Sequence, residues 1–380
     1  MAVRYANFDL ATGLNDGTSE ANAWQTWAAV LAGESPGDHV WVKKTATRHN
    51  EGGANTRIDL AFFAPTVSEL SRIEGYGTTI GDGVMFESSN RYRHQATAVL
   101  LKSFDILVDH DTDPVIDTQQ AEAFVGSCKL VQQGRGGIIG RGAYNQTKHG
   151  QVVNSHLERN LDGGAGEGTQ PGVNVAVVDG CTVIDERGGV TTTAAVVFNA
   201  FDGGAILKDT TIRGYGSGTQ GSAVFLRLVS DCTVVLSGLS IADFDEAITT
   251  DSAVTGDFSV LVQRCAFEDV NYVMDLNSTG LLSKFRFVDG RYASNTGIID
   301  GYSGTQVFDN FISIATCFVD ATNDDFTPSE DLAAVAITSQ TGSVNRVGAI
   351  QTVSASVGGG AGLLPTNFGL LPINKTSEVS

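Results

Sequence analysis

Four short stretches decide the fold: Ser127-Cys128-Lys129-Leu130, Gly180-Cys181-Thr182-Val183, Arg264-Cys265-Ala266-Phe267 and Thr316-Cys317-Phe318-Val319. Each places a cysteine two residues before an apolar side chain within an alternating segment. Segments of the same shape lie between them without cysteine: Asn154-Ser155-His156-Leu157, Asp209-Thr210-Thr211-Ile212, Gly238-Leu239-Ser240-Ile241 and Lys284-Phe285-Arg286-Phe287. Aligned on residues 128, 155, 181, 210, 239, 265, 285 and 317, they recur at steps of 27, 26, 29, 29, 26, 20 and 32 residues. Cys232, in Asp231-Cys232-Thr233-Val234, competes for a place in the row. Strand-built repeats of this length imply a solenoid, because one rung cannot bury its own apolar face and must stack on the next. Inward residues of successive rungs then lie about 4.8 Å apart. Gly, Asn and Asp between the strands supply the turns. A β-sandwich has no reason to repeat such a unit every rung. The steps are too irregular for leucine-rich repeats. The reading is all-β: a right-handed, single-stranded parallel β-helix over residues 39–326, a cap over 1–38 and a distinct segment over 327–380.

Composition agrees. Of 380 residues, 42% are hydrophobic and only 18% charged, with 45 glycines and 7 prolines. That is a turn-rich, ordered chain and not a low-complexity one. The net charge of −19 repels phosphate backbones and anionic headgroups, so neither nucleic acid nor membrane is an expected partner. No run of about 18 apolar residues is present. The start, Met1-Ala2-Val3-Arg4-Tyr5-Ala6-Asn7, lacks the apolar core of a secretion signal, so synthesis in a cytosol is expected. Cys128, Cys181, Cys232, Cys265 and Cys317 are odd in number and widely spaced, which points to buried thiols and away from disulfides or zinc.

Both ends of a solenoid need a cap. Residues 19–31 read as a helix closed by Gly33, with Trp24, Trp27, Ala28 and Leu31 on one face to lie over the first rung. The string Ala11-Thr12-Gly13-Leu14-Asn15-Asp16-Gly17-Thr18-Ser19, then Ala23-Trp24 and Gly37-Asp38-His39-Val40-Trp41-Val42, resembles the N-terminal cap of phage and bacterial β-helix proteins of the pectate-lyase-like superfamily. Those proteins often open with a G-x-D-G-[TS] turn, a capping helix and a G-D-x-[VI] strand. The match covers about forty residues, and the repeat extends it to roughly residue 325. The resemblance implies a virion protein, and a homotrimer is the assembly it suggests.

Beyond Thr327-Pro328 the composition changes. Ala334-Val335-Ala336-Ile337-Thr338 and Ala349-Ile350-Gln351-Thr352-Val353-Ser354 alternate as strands. Gly362-Leu363-Leu364-Pro365-Thr366-Asn367-Phe368 is then echoed by Gly369-Leu370-Leu371-Pro372-Ile373-Asn374-Lys375. This apolar tail is either a strap along its own solenoid or a docking arm, residues 358–380, for other virion proteins.

Chemistry is thinly marked. The six histidines lie in no nucleophile motif, and no P-loop or HExxH is present. Gly134-Arg135-Gly136-Gly137-Ile138-Ile139-Gly140 lacks the strand–helix frame of a dinucleotide site. Asp109, Asp111 and Asp113 alternate around His110, a weak candidate grip for Ca²⁺ beside the plainer reading of a solvated acidic loop. Four residues after the aligned positions stand Asp185, Gly214, Asp243, Asp269 and Asp289, with Glu186, Asp245, Glu246 and Glu268 nearby. Turn-capping aspartates are the plain reading, and an acidic glycan-cleaving groove the sharper one. Tyr76, Tyr92, Tyr144, Tyr215, Tyr272, Tyr292 and Tyr302 are read as turn-packing residues before sugar platforms. No catalytic residue, metal ligand or cofactor is assigned. The expected function is therefore non-enzymatic: a trimeric capsid decoration protein or spike on the surface of a phage particle, assembled in the host cytoplasm. The alternative is a tailspike depolymerase cutting host surface polysaccharide. The cap beginning near residue 5 leaves little room for a tail adaptor and favours the first reading.

Overall fold

The computed structural model describes residues 2–52, 56–60, 71–94, 99–118, 123–134, 136–140, 150–160, 172–186, 194–199, 204–214, 221–227, 232–250, 258–276, 285–299, 308–323 and 325–329. They form a right-handed parallel β-helix with three faces. Sheet A has twelve strands, from Val3–Ala6 and His39–Lys43 through Val177–Asp179 to Phe285–Val288 and Phe308–Asp309. Sheet B stacks Phe86–Ser88, Phe104–Val108, Lys129–Gln132, His156–Arg159, Thr182–Asp185, Thr211–Arg213, Ser240–Thr250, Ala266–Asp275, Arg291–Ala293 and Ile312–Ser313. Sheet C starts with Arg57–Leu60, Arg91–His94 and Ile116–Asp117. It continues through single bridges at Ile139 and Val173, Val196–Asn199, Ser222–Arg227 and the second halves of the two long sheet B strands, and ends on Gly297–Ile299.

Strand alternation gives each face an inward apolar column. Leu130, Leu157, Val183, Ile212, Ile241 and Phe267 stack down sheet B, and Val173, Val196, Val224, Ile248 and Met274 down sheet C. All these side chains are sealed from solvent, each worth about 1.5–3 kcal/mol of hydrophobic burial.

The corner from sheet A to sheet B explains the cysteine repeat. Every rung from Ser103 to Asn310 turns on one residue in the left-handed region: Ser103, Ser127, Asn154, Gly180, Asp209, Gly238, Arg264, Asp289 and Asn310. Small polar residues tolerate that conformation best. The turning N–H still bonds to the next rung, as from Asn154 to the Asp179 carbonyl (2.9 Å) and from Gly180 to Lys208 (3.1 Å). The following residue points inward, giving the column Phe104, Cys128, Ser155, Cys181, Thr210, Leu239 and Cys265. Thiols and hydroxyls there donate to the carbonyl two residues back, Cys128 Sγ to Gly126 O at 3.3 Å and Thr210 Oγ1 to Lys208 O at 2.7 Å. Ser155 and Thr210 also accept the Cys128 and Cys181 N–H of the preceding rung.

Two positions of the sequence alignment were misplaced. Phe285 lies on sheet A against Val260, and Cys317 lies beyond the last rung. The column continues instead through Gly290 and Phe311. An inward–outward–inward triplet reads alike on any sheet, and Gly290 leaves no side chain to find. A Cβ there would stand 2.0 Å from the Phe311 ring, which takes its place in the stack.

The cap also differs from expectation. A 3₁₀ turn, Glu20–Asn22, is N-capped by Ser19, and the α-helix begins only at Trp27–Gly33, N-capped by Thr26. Trp24 interrupts the helix because its backbone bridges Ala6, donating to Tyr5 O (2.9 Å) and accepting from Asn7 N (2.8 Å). Its indole packs against Gly17 and Gly33, where any Cβ would meet the ring at 2.5 and 2.7 Å. Trp27 and Val30 are the buried residues of the helix, while Ala28 is exposed. Trp27 meets Tyr92 edge-on, ring centroids 5.7 Å apart.

Ile312–Ser313 is the last described sheet B strand. Within the 39–326 span read as solenoid, an antiparallel hairpin, Phe318–Asp320 with Asp325–Pro328, then lies on the outer face of sheet B. Cys317, Phe318, Ala321 and Phe326 cover Ala242, Ala266 and Ala293 there. Residues 331–380, with both predicted strands and the repeated apolar tail, fall outside the described residues.

Candidate functional site

The corner from sheet B to sheet C is where the rungs differ most. Early rungs leave sheet B at Val108, Gln132, Arg159, Asp185 and Arg213 and next join sheet C at Ile116, Ile139, Val173, Val196 and Ser222. Later rungs turn in one step, Asp243 and Asp269 within continuous strands and Ser294 after Arg291–Ala293, at φ of +64°, +49° and +56°. Insertions on a rigid scaffold are where binding surfaces are usually built, so this edge is the candidate site.

Its inner lining is polar. Gln132, Arg159 and Asp185 stack in register inside the solenoid. The Gln132 amide accepts from His110 N and Gly134 N, both at 3.1 Å, and donates to Asp113 O (3.0 Å) and Gly137 O (3.3 Å). Arg159 Nε donates to Asp185 Oδ1 at 3.2 Å and its Nη2 grips Oδ2 and, at 3.4 Å, the Ala194 carbonyl. Arg159 is 1% exposed and so is Asp185, so the pair is a true buried ion pair. It ties the end of sheet B to the start of sheet C across the corner.

Most of the acidic row is held in structural contacts. Asp185 faces Arg159. Glu186 pairs with Arg213, whose other nitrogen donates to Thr322 O at 2.8 Å in the hairpin. Glu268 accepts the N–H groups of Cys317 (3.1 Å) and Phe318 (2.7 Å), and burial raises its pKa. Asp245 accepts the Asn271 amide. The registers confirm Asp185, Gly214, Asp243 and Asp269 as one column. Asp289 belongs to the other corner, where it accepts from Asn310 Nδ2 at 2.7 Å. Asp243, Asp269 and Asp289 each take the left-handed turn conformation.

Asp109, Asp111 and Asp113 do not converge. Asp113 pairs with Arg91, and its N–H donates to His110 Nδ1 at 3.0 Å. Among the described residues no three His, Cys, Asp or Glu side chains are placed to share a metal ion. Burial and Arg91 lower the His110 pKa. The glycine-rich run serves this same loop: a Cβ on Gly134 would strike His110 N at 2.5 Å, and one on Gly136 the Asp113 carbonyl at 2.1 Å.

The tyrosines divide. Tyr92 is in the core and Tyr76 is covered by Trp41, edge-on at 6.2 Å. Tyr292 stacks on Phe311 at 5.5 Å. Tyr272 alone of the described set lies partly exposed at the candidate edge, against Gly297. Tyr144, Tyr215 and Tyr302 fall outside the described residues. Sequence reading missed the Gln132–Arg159–Asp185 column. Its signal was present, since polar residues at three consecutive inward positions interrupt an apolar lining.

No protein-family model matches the chain, and no curated protein matches it. Among solved structures it is similar to the pectate lyase Pel9A, at 12% identity over 92% of this chain and 96% of that one, with a TM-score of 0.52. That likeness shows the fold. A GH136 lacto-N-biosidase from Eubacterium ramulus (9% identity, 83% and 67% covered, TM-score 0.35) and ORF18 of Geobacillus virus E2 (10% identity, 81% and 60% covered, TM-score 0.30) are more distant and carry no argument.

Proposed function

We propose that this chain is a structural protein displayed on a bacteriophage particle, a capsid decoration protein or spike assembling as a homotrimer in the host cytoplasm. The observation that carries the reading is the use of the candidate-groove carboxylates as fasteners. Asp185, Glu186, Asp245, Glu268 and Asp289 each hold another part of the fold. A second feature supports assembly. The outward row of sheet A presents Val177, Ile206, Val235 and Leu261 in register on successive rungs, each half-buried, and apolar rows on a surface mark interfaces. The resemblance of residues 5–42 to phage β-helix caps gives the particle context.

Imaging particles with and without the protein tests the placement: added density on the head or tail surface is expected, and particles complete without it refute the role. Incubation with host capsular or lipopolysaccharide tests the depolymerase reading. Release of oligosaccharides that stops on Asp243→Asn or Asp245→Asn would replace the structural role with an enzymatic one. Deleting residues 358–380 tests the docking arm, since normal decoration by the shortened chain would reduce the tail to a strap.

A further inference from the structure

Residues 109–115 join Phe104–Val108 of sheet B to Ile116–Asp117 of sheet C, and one side chain of the loop holds it shut. His110 Nδ1 accepts the Asp113 N–H at 3.0 Å and the Thr112 N–H at 3.3 Å. The main chain of His110 is fixed as well. Its N–H donates to Gln132 Oε1 at 3.1 Å, and its carbonyl accepts from Gly136 N at 2.8 Å. Gln132 Nε2 donates to the Asp113 carbonyl at 3.0 Å. The loop is thus gripped from inside the solenoid at two points and closed across its middle by the imidazole. Asn and Asp side chains close turns in the same way, by accepting N–H groups a few residues on. Here the acceptor is a group that titrates between pH 5 and 8.

A ring nitrogen that accepts cannot carry a proton. In the neutral ring Nδ1 keeps its lone pair while Nε2 holds the hydrogen, and in the imidazolium both nitrogens are donors. Protonation would set a hydrogen on Nδ1 against two backbone N–H groups. Among the described residues, the charged groups facing the ring are Arg91 on the sheet C strand Arg91–His94 and Asp109, Asp111 and Asp113 on the loop itself. The 132–137 side contributes the Gln132 amide and the backbone of Gly134, where a Cβ would strike His110. Burial and Arg91 oppose the imidazolium and outweigh the three aspartates, so the His110 pKa is lowered. Asp113 is itself paired with Arg91, which ties the far end of the loop to sheet C.

We propose that His110 is an acid-operated latch: the neutral ring keeps the 109–115 loop closed on the candidate edge, and the protonated ring releases it. Release takes from Gln132 two of its four hydrogen-bond partners, His110 N and Asp113 O, and so opens the polar lining of the corner at its first rung. The lowered pKa fixes the sign. The closed loop prefers the neutral ring, so its stability is complete above the ordinary histidine range. It falls with acid by up to about tenfold per pH unit until the lowered pKa is reached. The latch stands independently of any role on a particle.

Hydrogen exchange on the full-length chain tests it, read as protection factors so that the intrinsic pH dependence of exchange drops out. The reporting amides are Asp113, bonded to the ring, and Gly136, bonded to the His110 carbonyl. In the parent chain their protection should fall about tenfold or more between pH 7.5 and pH 4.5, with Leu157 and Val183 unchanged. His110→Asn keeps a side-chain acceptor and removes the titration, so Asp113 should stay protected at both pH values. His110→Ala removes the acceptor, so Asp113 should be unprotected at both. Asp113 protection in the parent that persists at pH 4.5, or that is absent at pH 7.5, overturns the proposal. Full protection in His110→Ala overturns it too. Loss of protection in His110→Asn at the same pH as in the parent would assign the acid response to the aspartates and overturn it as well.

Discussion

Removing one partner of the Arg159–Asp185 pair should open the solenoid locally at the corner from sheet B to sheet C. In Asp185→Ala the guanidinium keeps its place inside the stack, with Nη2 on the Ala194 carbonyl, but loses the Asp185 carboxylate. Breaking a buried pair in this way typically costs about 3–5 kcal/mol. Arg159→Ala takes the guanidinium away from the Asp185 carboxylate and should cost a similar amount. Replacing both, as Arg159→Met with Asp185→Leu, removes the two desolvation penalties together. What remains is the loss of the long Arg159 bond to the Ala194 carbonyl, which still accepts from Gly172 N at 3.2 Å, and this is offset by the apolar packing gained. The double variant should therefore be more stable than either single one. Because a solenoid opens rung by rung, the proper assay is native-state hydrogen exchange at Leu157 and Val183, the inward neighbours of the pair. Parent-level protection in both single variants, or a double variant as labile as the worse single, would refute the ion-pair account.

Glu34, with its pKa raised to about 7 chiefly by burial and bonded to Ser71 beside Asp38, binds its proton more tightly folded than unfolded. Its ionisation thus destabilises the cap as pH rises from the ordinary carboxylate range through 7, and tryptophan fluorescence should show the cap melting more easily at pH 8 than at pH 5. Glu34→Gln should flatten that dependence. Gly290→Ala drives a methyl into the Phe311 ring and should cost about 1–3 kcal/mol by overpacking; adding Phe311→Ala should relieve part of that cost, read as non-additivity in denaturant unfolding. Burial pushes the Cys128, Cys181 and Cys265 thiols up to about 12, so alkylation at pH 8 should label none of them before unfolding.

Stacking left a strong trace in the sequence. A rung repeats the same inward environment every turn, so Cys128, Ser155, Cys181, Thr210, Leu239 and Cys265 announced one column, and their spacing matched the registers. The trace faded where a rung lacks a side chain or leaves the stack. Gly290 offered nothing to align, and Cys317 belongs to a hairpin that imitates the rung motif. The acidic positions were legible as a row, but not as a set of roles. Asp185 and Asp243 share a column, yet one points inward to Arg159 and the other makes the turn.

Local chemistry therefore determined the architecture of this protein. Period-two alternation, a left-handed turn residue before each inward position and a capping region each act over a few residues and can be read in order. Only the tertiary structure decided what the polar residues do. Arg159 and Asp185 meet across 26 residues, Glu268 and Cys317 across 49, and Arg213 and Thr322 across 109. A charge in a one-dimensional string carries no mark of the partner that will fold against it. Whether a carboxylate lines a groove or fastens a hairpin depends on that partner.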